Sequence, residues 1–203
     1  MSSCYIVGAG DFYGELCPKP GDLVIAADGG LDTLRRIGVK PDLLIGDLDS
    51  LEGGEENDLI TLRHPVEKDE TDTYLAYLEG VRRGYTDFLI YGGVGGRLDH
   101  TFANISLLIY GKRRGHSLSL IDRGMKISAL KNESVTISPS VCRGFSLLAF
   151  DGEAHGVTIR GAKYDVEGVT LTPEFPLGVS NSLAGSSCEI TVSDGELILM
   201  MSE

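Results

Sequence analysis

Two aspartates one residue apart follow a short apolar run near residue 45. Residues 43–45 are typical of a buried strand, and Gly46 separates them from Asp47 and Asp49. Side chains alternate along an extended chain, so both carboxylates would point the same way and repel each other unless a cation lies between them. A hard divalent cation that also carries phosphate would suit this pair. An acidic turn after the strand would give the same pattern.

A third acidic residue lies at a predicted junction between a strand and a helix. Asp28 follows the apolar run of residues 23–26, and Gly29 and Gly30 precede a predicted helix over residues 31–37. The acid is suited to cap this helix, whereas the two glycines would let a phosphate group approach the helix start closely. Both interpretations remain open at this level.

Acids are crowded at the start of a second predicted helix, over residues 74–83. Asp69, Glu70 and Asp72 lie within one turn, although Thr71 or a single acid would be enough to cap the helix. The surplus negative charge implies a bound cation or a strongly solvated setting. Lys68 would either contact phosphate or pair with these acids.

A glycine-rich loop follows the apolar run of residues 88–91. Four of residues 92–96 are glycines, which leaves backbone amides available to phosphate oxygens, and Arg97 adds a guanidinium fork suited to phosphate. By contrast, Gly8, Gly10 and Gly14 miss the dinucleotide-binding spacing by one residue, and prolines rather than a helix come next. We therefore reject a Rossmann fingerprint.

Hydrophobic spacing predicts which faces of the helices are buried. Residues three and four apart lie on one side of a helix, so the apolar residues at these spacings should face the core. In the second helix, Leu75, Leu78, Val81 and Arg82 have this spacing and mark it as amphipathic. In a third helix over residues 101–110, the residues predicted to face the core are Phe102, Ile105, Leu108 and Ile109.

The order of the predicted elements indicates two domains. Strands and helices alternate over residues 1–123, which predicts an α/β domain with a mostly parallel sheet flanked by helices. Ligands of such sheets bind outside the carboxyl ends of the strands, where the acids and the glycine loop converge. Residues 124–203 contain short strands and turn residues without helical periodicity, which predicts a small all-β sandwich or barrel. Asp194 and Gly195 predict a tight hairpin there.

The composition narrows the possible classes of protein. A chain of 203 residues with 42% hydrophobic residues can bury a globular core, and its net charge of −12 argues against nucleic acid as a partner. Cys4, Cys17, Cys142 and Cys188 are scattered, so we expect reduced, buried thiols rather than a zinc site or disulfides. Neither a signal peptide nor a membrane span is indicated, and we expect a cytoplasmic protein.

Taken together, these segments resemble the thiamine pyrophosphokinase family, in its bacterial form. The matching residues, in the family's order, are Ala27-Asp28-Gly29-Gly30, Pro41-Asp42, Gly46-Asp47-Leu48-Asp49-Ser50, Lys68-Asp69-Glu70-Thr71-Asp72-Thr73, Gly96-Arg97-Leu98-Asp99-His100 and Ser180-Asn181-Ser182. The match covers nearly the whole chain, including the change to a β-rich second domain. Each segment is a weak signal alone, but the combination is highly specific.

The resemblance implies a reaction, a cofactor and an assembly. It implies transfer of the pyrophosphoryl group of ATP to the hydroxyethyl oxygen of thiamine, with Mg²⁺ as the metal ion and AMP as the second product. Family members are homodimers whose thiamine site lies between the α/β domain of one subunit and the β domain of the other. The second domain would accordingly bind thiamine and support dimerisation.

The resemblance also implies roles for individual residues. The implied catalytic and magnesium-binding residues are Asp47, Asp49 and Asp72. The implied ATP-binding residues are Asp28, Gly29, Gly30, Lys68, Thr71, Gly95, Gly96, Arg97 and Asp99. The implied thiamine-binding residues are Asp99, His100, Ser180, Asn181 and Ser182. Two departures concern thiamine: Ser182 stands where bacterial members often have Glu, and the chain has no Trp to stack on the thiamine rings.

Two other functions fit the same residues. A pyrophosphokinase for another hydroxymethyl acceptor, such as a pterin, would use the same acids and differ only in its acceptor pocket. A non-catalytic nucleotide sensor, whose β domain binds another protein, would have less need of several metal ligands. The sequence does not single out one aspartate as a general base.

Overall fold

The computed structural model describes residues 2–46, 60–63 and 69–202 of the chain. The chain divides into two compact units, residues 1–123 and residues 124–203. Asp47, Asp49 and Lys68 lie outside the described residues, so the roles predicted for them stay predictions. No helix in the described part of the chain is long and apolar enough to cross a membrane.

The first unit alternates strands with helices. Its described elements are β1 (Cys4–Val7), β2 (Leu23–Ala27), α1 (Gly30–Ile37), β3 (Leu43–Gly46), β4 (Ile60–Arg63), α2 (Asp72–Arg82), β5 (Asp87–Tyr91), α3 (Leu98–Arg113) and β6 (Ser117–Asp122). All neighbouring strands are parallel, in the order β6-β5-β1-β2-β3-β4. The predicted parallel sheet is confirmed. The chain proceeds in opposite directions on the two sides of β1, so the topological switch point lies between β1 and β5.

The helices cover both faces of this sheet. Leu31 and Leu34 of α1 pack against Val7 and Val24, which point to one face of their strands. Gly80 of α2 lies against the side chains of Cys4 and Phe88 on the opposite face. Because successive strand residues alternate between faces, nearly every residue of these strands is buried, as in an α/β layer structure.

Hydrophobic spacing predicted the helices but not all of their buried residues. Phe102 is 52% exposed, so the prediction that it faces the core was wrong, and Leu78 of the amphipathic α2 is 39% exposed. In α2 the buried side carries Ala76, Tyr77 and Gly80. The small residues Ala76 and Gly80 allow the helix to lie close to the strands. Side-chain size at the contact, rather than hydrophobicity alone, selects the face that packs.

A buried acid near the end of α2 is held by two arginines. The carboxylate of Glu79 is 9% exposed and accepts hydrogen bonds of 2.7 Å from Arg82 and from Arg83. The Arg82 guanidinium, helped by Arg83, lowers the pKa of Glu79 from 4.5 to about 2 against the opposing effect of burial. The folded protein therefore binds a proton at Glu79 less readily than the unfolded chain does.

We expect Glu79→Gln to lower the free energy of unfolding by about 1–3 kcal/mol at pH 7, an estimate that allows for the exposed Arg82 partner. A lowered folded-state pKa stabilises the fold above the unfolded pKa, and this stabilisation is lost as the pH falls from 4.5 towards 2. Urea unfolding between pH 7 and pH 2.5 should show the gap between wild type and variant closing. Glu70→Gln, at an exposed acid before the same helix, is the control and should show no such gap.

The second unit is a sandwich of two antiparallel sheets. Its strands are β7 (Met125–Lys131), β8 (Ser134–Ile137), β9 (Gly144–Ala149), β10 (Ala154–Arg160), β11 (Val166–Leu171), β12 (Asn181–Ser182), β13 (Cys188–Thr191) and β14 (Glu196–Ser202). One sheet is ordered β12-β9-β14-β7 within this unit, and the other β11-β10-β13-β8. Leu147 and Leu199 from the first sheet share a core with Val157 and Ile190 from the second. The predicted all-β sandwich is confirmed.

The hairpin predicted at Asp194 and Gly195 was wrong. The strands on either side of these residues, β13 and β14, belong to different sheets and pair with other partners. Gly195 has a φ of 108°, its amide donates to the Asn132 side chain at 2.8 Å, and a Cβ there would lie 2.6 Å from the Glu153 carbonyl oxygen. The turn residues serve a crossing between the sheets of the sandwich.

The four cysteines are free thiols in different environments. Cys4, Cys142 and Cys188 are buried as predicted, but Cys17 is exposed, which corrects the prediction for that residue. Burial raises the pKa of the Cys4 thiol to about 12 and that of the Cys188 thiol to about 11, and it also raises the pKa of Cys142.

We expect a thiol reagent to modify one cysteine of the native protein at pH 7.5, namely Cys17, because buried thiols react slowly. Mass spectrometry should show a single adduct before unfolding and four adducts in guanidinium chloride. Cys17→Ser removes the native adduct. Rapid labelling of Cys4 or Cys188 in the native protein would contradict the burial of these two thiols.

Candidate active site

The backbones at the carboxyl ends of β1 and β5 lie in direct contact. The Gly8 amide donates to the Tyr91 carbonyl at 2.8 Å, and the Gly10 amide donates to the Gly92 carbonyl at 3.0 Å. A Cβ on Gly10 would lie 2.6 Å from the Gly92 carbonyl oxygen. These glycines are therefore explained by the close approach of two loops at the switch point, and not by the dinucleotide fingerprint that the sequence analysis rejected.

The carboxyl ends of β2 and β3 also lie in direct contact at this edge. Asp28 adopts a left-handed conformation with φ 50°, and its amide donates to the Ile45 carbonyl at 2.8 Å. A Cβ on Gly46 would lie 3.1 Å from the Cα of Asp28, so the two strand ends touch. Gly29, not Asp28, is the N-cap residue of α1, and the Asp28 carbonyl accepts a hydrogen bond of 3.3 Å from the Leu31 amide. Asp28 is thus adjacent to the residue that precedes Asp47.

Gly30 is required by packing at the start of α1. A Cβ on Gly30 would lie 1.8 Å from the Val7 carbonyl oxygen, whereas one on Gly29 would lie 3.1 Å from the Ala9 Cβ. The first turn of α1 therefore lies directly on the end of β1. This contact continues the row of touching loops from β5 through β1 to β2.

The start of α2 is capped by a threonine. The Thr71 side chain accepts a hydrogen bond of 3.2 Å from the Tyr74 amide, as predicted for a cap. Asp72 is the first residue of the helix and is partly buried, while Asp69 and Glu70 are exposed. Since Thr71 supplies the cap, the start of α2 does not depend on the carboxylate of Asp72 for capping.

The end of the glycine loop is open and carries an ion pair. A Cβ on Gly95 or Gly96 would meet no atom within 4 Å, and both residues have left-handed φ angles. Arg97 donates to Asp99 at 2.6 and 3.2 Å, and both side chains are largely exposed. The Arg97 hydrogen bond holds the pKa of Asp99 below its ordinary value. Helix α3 begins at Leu98, so Asp99 and His100 lie in its first turn rather than in a loop.

The acids at this edge offer oxygen atoms, which are the ligands that magnesium prefers. One carboxylate oxygen of Asp28 is buried, and Asp72 lies in the first turn of α2. Among residues 2–46, 60–63 and 69–202, no three acidic, histidine or cysteine side chains come together as a metal site. Two of the three predicted ligands, Asp47 and Asp49, lie outside these ranges. The carboxylate oxygens of these aspartates are of the chemical type that binds magnesium.

The second unit contains a separate apolar cavity of about 440 Å³. Its lining residues include Val157, Ile159, Val166, Val169, Leu171, Leu177, Val179, Tyr164, Ser180 and Asn181. Thus two of the three residues predicted on the thiamine side line the cavity, whereas Ser182 is not among the lining residues. Such a mainly apolar cavity with a few polar groups suits a small organic ligand.

Tyr164 is the residue at this cavity that the sequence analysis missed. Its side chain is 57% exposed and supplies an aromatic surface to the lining. In the sequence, Tyr164 ends a short turn, Gly161-Ala162-Lys163-Tyr164, and no hydrophobic periodicity marks it as a functional residue. The absence of tryptophan left the aromatic position open, and the folded chain supplies this candidate.

The two units define the class of protein. A parallel α/β unit with acids and bare glycine loops at one sheet edge is followed by a β-sandwich with an apolar cavity, the layout of a kinase-type transferase with a separate binding unit. The family model for the thiamin pyrophosphokinase catalytic domain matches residues 17–120, and the model for the thiamin pyrophosphokinase vitamin B1 binding domain matches residues 134–197. The chain belongs to the thiamin pyrophosphokinase family, which confirms the resemblance inferred from the sequence.

Individual relatives agree with this assignment. Thiamine pyrophosphokinase of Bacillus subtilis (strain 168) is 29% identical over 186 residues, which cover 89% of this chain and 87% of the relative. A crystal structure of the Bacillus subtilis enzyme matches with a TM-score of 0.91 at 28% identity, over 99% of both chains. The thiamin pyrophosphokinase structure from Geobacillus thermodenitrificans matches with a TM-score of 0.88 at 26% identity, over 99% of this chain and 97% of that one.

Proposed function

We propose that the protein transfers the pyrophosphoryl group of ATP to the hydroxyethyl oxygen of thiamine and releases AMP. One observation carries this proposal: the loops after β5, β1, β2 and β3 touch in a row at the carboxyl edge of the sheet and bring bare glycine backbone beside an acid. Phosphoryl-type transfer depends on positioning and charge neutralisation more than on covalent chemistry, and this edge is suited to both.

The triphosphate of ATP would lie against the glycine loop at the switch point. The open Gly95 and Gly96 backbone and the start of α3 suit phosphate oxygens, and Arg97 would exchange its bond to Asp99 for one to phosphate. This exchange costs little because the ion pair is exposed to solvent. Gly29 and Gly30 would contribute through the start of α1, and Lys68 and Thr71 belong to the same predicted nucleotide group.

Asp47, Asp49 and Asp72 are proposed to hold Mg²⁺, with Asp28 beside the phosphates. Bound magnesium would neutralise charge that develops on the phosphate oxygens. The carboxylates would hold the ion, and the glycine amides would orient the chain of phosphates. The contact between Asp28 and Gly46 supports this grouping, because Gly46 leads directly into Asp47.

The rings of thiamine are proposed to bind at the cavity of the second unit. Thiamine carries a positively charged thiazolium ring, and aromatic faces attract cations. Tyr164 would provide this face, Ser180 would offer a hydroxyl group, and Val157 would be one of the apolar walls. Asp99 and His100 belong to a sequence motif of the first unit and remain proposed substrate contacts.

In the proposed step the hydroxyl oxygen of thiamine attacks the β-phosphorus of ATP in line. A bond forms between that oxygen and the β-phosphorus, and the bond from the β-phosphorus to the oxygen that bridges the α- and β-phosphates breaks. The electron pair leaves with AMP. The hydroxyl proton goes to a carboxylate of the acidic group or to solvent.

The acceptor is tested by AMP release with thiamine, with a hydroxymethyl pterin and without an acceptor, each with ATP and Mg²⁺. We expect AMP release only in the reaction that contains thiamine. Release with the pterin would favour a pyrophosphokinase of different specificity. An absence of AMP in every reaction would contradict the proposal and favour a nucleotide-sensing module.

A homodimer is proposed from the family resemblance. Light scattering of the purified protein should then give twice the mass of one chain at micromolar concentration. A monomeric mass under the conditions in which the enzyme turns over would contradict this assembly.

A further inference from the structure

The side chain of Asn181 is already occupied by protein backbone. Its Oδ1 accepts from the Tyr164 amide at 3.1 Å and from the Ser182 amide at 2.9 Å, and its Nδ2 donates to the Tyr164 carbonyl at 2.8 Å. Asn181 is 8% exposed. Its amide therefore holds both backbone groups of Tyr164 and has little surface left to offer to a ligand.

The turn that carries Tyr164 is tied to the same segment at further points. The Lys163 amide donates to the Ser182 carbonyl at 2.8 Å, and the Ala184 amide donates to the Gly161 carbonyl at 3.0 Å. Within the turn, the Ala162 amide donates to the Asp165 carboxylate at 2.8 Å. The backbone beneath Tyr164 is thus fixed relative to β12, and Asn181 supplies the bonds nearest to the ring.

The ring of Tyr164, by contrast, is exposed at the cavity. The Lys163 ammonium lies 5.1 Å from the ring centroid, so this aromatic face already attracts a cation within the protein. The arrangement combines a fixed backbone with an open aromatic surface. A ligand with a flat, positively charged ring could displace the lysine and take its place.

We propose that Asn181 is a positioning residue that acts through Tyr164 and does not itself touch thiamine. This inference rests on the proposed function, and it revises the direct contact that the family resemblance implies for Asn181. The backbone of Tyr164, gripped at its N–H and its C=O, sets the position of the ring against the cavity. Affinity for thiamine then depends on Asn181 only as long as the ring is present.

A double-mutant cycle on the KM for thiamine tests this inference. We expect Tyr164→Ala and Asn181→Ala each to raise this KM by roughly 10-fold or more, with kcat and the KM for ATP changed by less than about 3-fold. In the double variant the KM should be within about 2-fold of that of Tyr164→Ala alone, because the two changes remove one interaction. Effects that multiply in the double variant would overturn the inference and indicate that Asn181 contacts thiamine directly.

Two further variants separate positioning from folding. Asn181→Asp keeps both acceptor bonds but places a carboxylate oxygen against the Tyr164 carbonyl in place of the donated bond. It should therefore raise the KM as Asn181→Ala does and have no effect when Tyr164 is alanine. Ser146→Ala removes the 3.0 Å bond to the neighbouring Ser180 amide and should leave the KM unchanged. If Asn181→Ala does not fold, the cycle with Asn181→Asp decides by the same criterion.

The activity of the wild-type enzyme distinguishes a failure of the proposed function from a failure of the role inferred for Asn181. If wild type releases no AMP in response to thiamine, the proposed function fails. If wild type is active but the cycle is multiplicative, only the role of Asn181 fails. A Ser146→Ala variant with the same rise in KM as Asn181→Ala would also overturn the positioning role, because any loosening of this segment would then have the same effect.

Discussion

Asp72→Asn is expected to lower kcat by about 100-fold or more, because it removes a proposed magnesium ligand that acts on the transferring phosphate group. The fold should persist, since Thr71 caps α2 through the Tyr74 amide and does not depend on Asp72. The loss of a charge near the helix start should cost about 0.3–1 kcal/mol. Raising the magnesium concentration should restore part of the turnover.

The neighbouring Asp69 provides the matched control for this variant. Asp69→Asn removes the same charge three residues earlier, at an exposed position, and should leave turnover and its magnesium dependence unchanged. Steady-state rates for both variants across a magnesium titration distinguish a specific ligand from a general electrostatic effect. Equal losses in the two variants, or wild-type behaviour of Asp72→Asn, would remove Asp72 from the proposed metal site.

Gly30→Ala is expected to destabilise the first unit by about 3 kcal/mol or more, because the added Cβ has no room at the end of β1. That atom would lie 1.8 Å from the Val7 carbonyl oxygen, and backbone cannot move aside as a flexible side chain can. Any accommodation has to shift the start of α1 away from the row of loops. We therefore expect weaker ATP binding together with the lower stability, measured by calorimetry and urea unfolding.

Gly29→Ala serves as the control beside it. Gly29 has a helical φ of −57°, and its added Cβ would lie 3.1 Å from a methyl group rather than against backbone. The change should cost less than about 1 kcal/mol. If the two variants had similar stability, the close contact between Gly30 and Val7 would not be a determinant of the fold.

The layer structure could be predicted because buried parallel strands and sandwich strands have different sequence patterns. Residues 23–26 and 43–45 are continuous apolar runs, and they form strands buried on both faces. The carboxyl-edge rule then predicts that Asp28 and the glycine loop lie at the same edge of the sheet.

Tertiary contacts explain where prediction from the sequence failed. Phe102 has the spacing of a core residue, yet it is exposed, while Asn104 is buried and donates to the Gly93 carbonyl at 2.8 Å. A local pattern does not show that a loop carbonyl will need this donor. The turn at Asp194 and Gly195 fails for a similar reason, because the same dipeptide can join two strands of one sheet or cross between sheets.

The thiamine side of the site was the part least accessible from sequence. Ser180 and Asn181 could be placed near the substrate by resemblance, but the bonds from Asn181 to the Tyr164 backbone depend on contact between segments seventeen residues apart. No spacing rule connects these positions, since they meet only when the sandwich has formed. The sequence also left the aromatic residue unassigned, and Tyr164 emerges from the lining of the cavity.

The central claim is most directly tested by the products of one reaction. Wild-type protein is incubated with ATP, Mg²⁺ and thiamine, and the products are identified by phosphorus NMR and mass spectrometry. We predict AMP and thiamine diphosphate in equal amounts, formed only when thiamine is present. Formation of ADP with thiamine monophosphate, or no thiamine-dependent loss of ATP, would contradict the proposed pyrophosphoryl transfer.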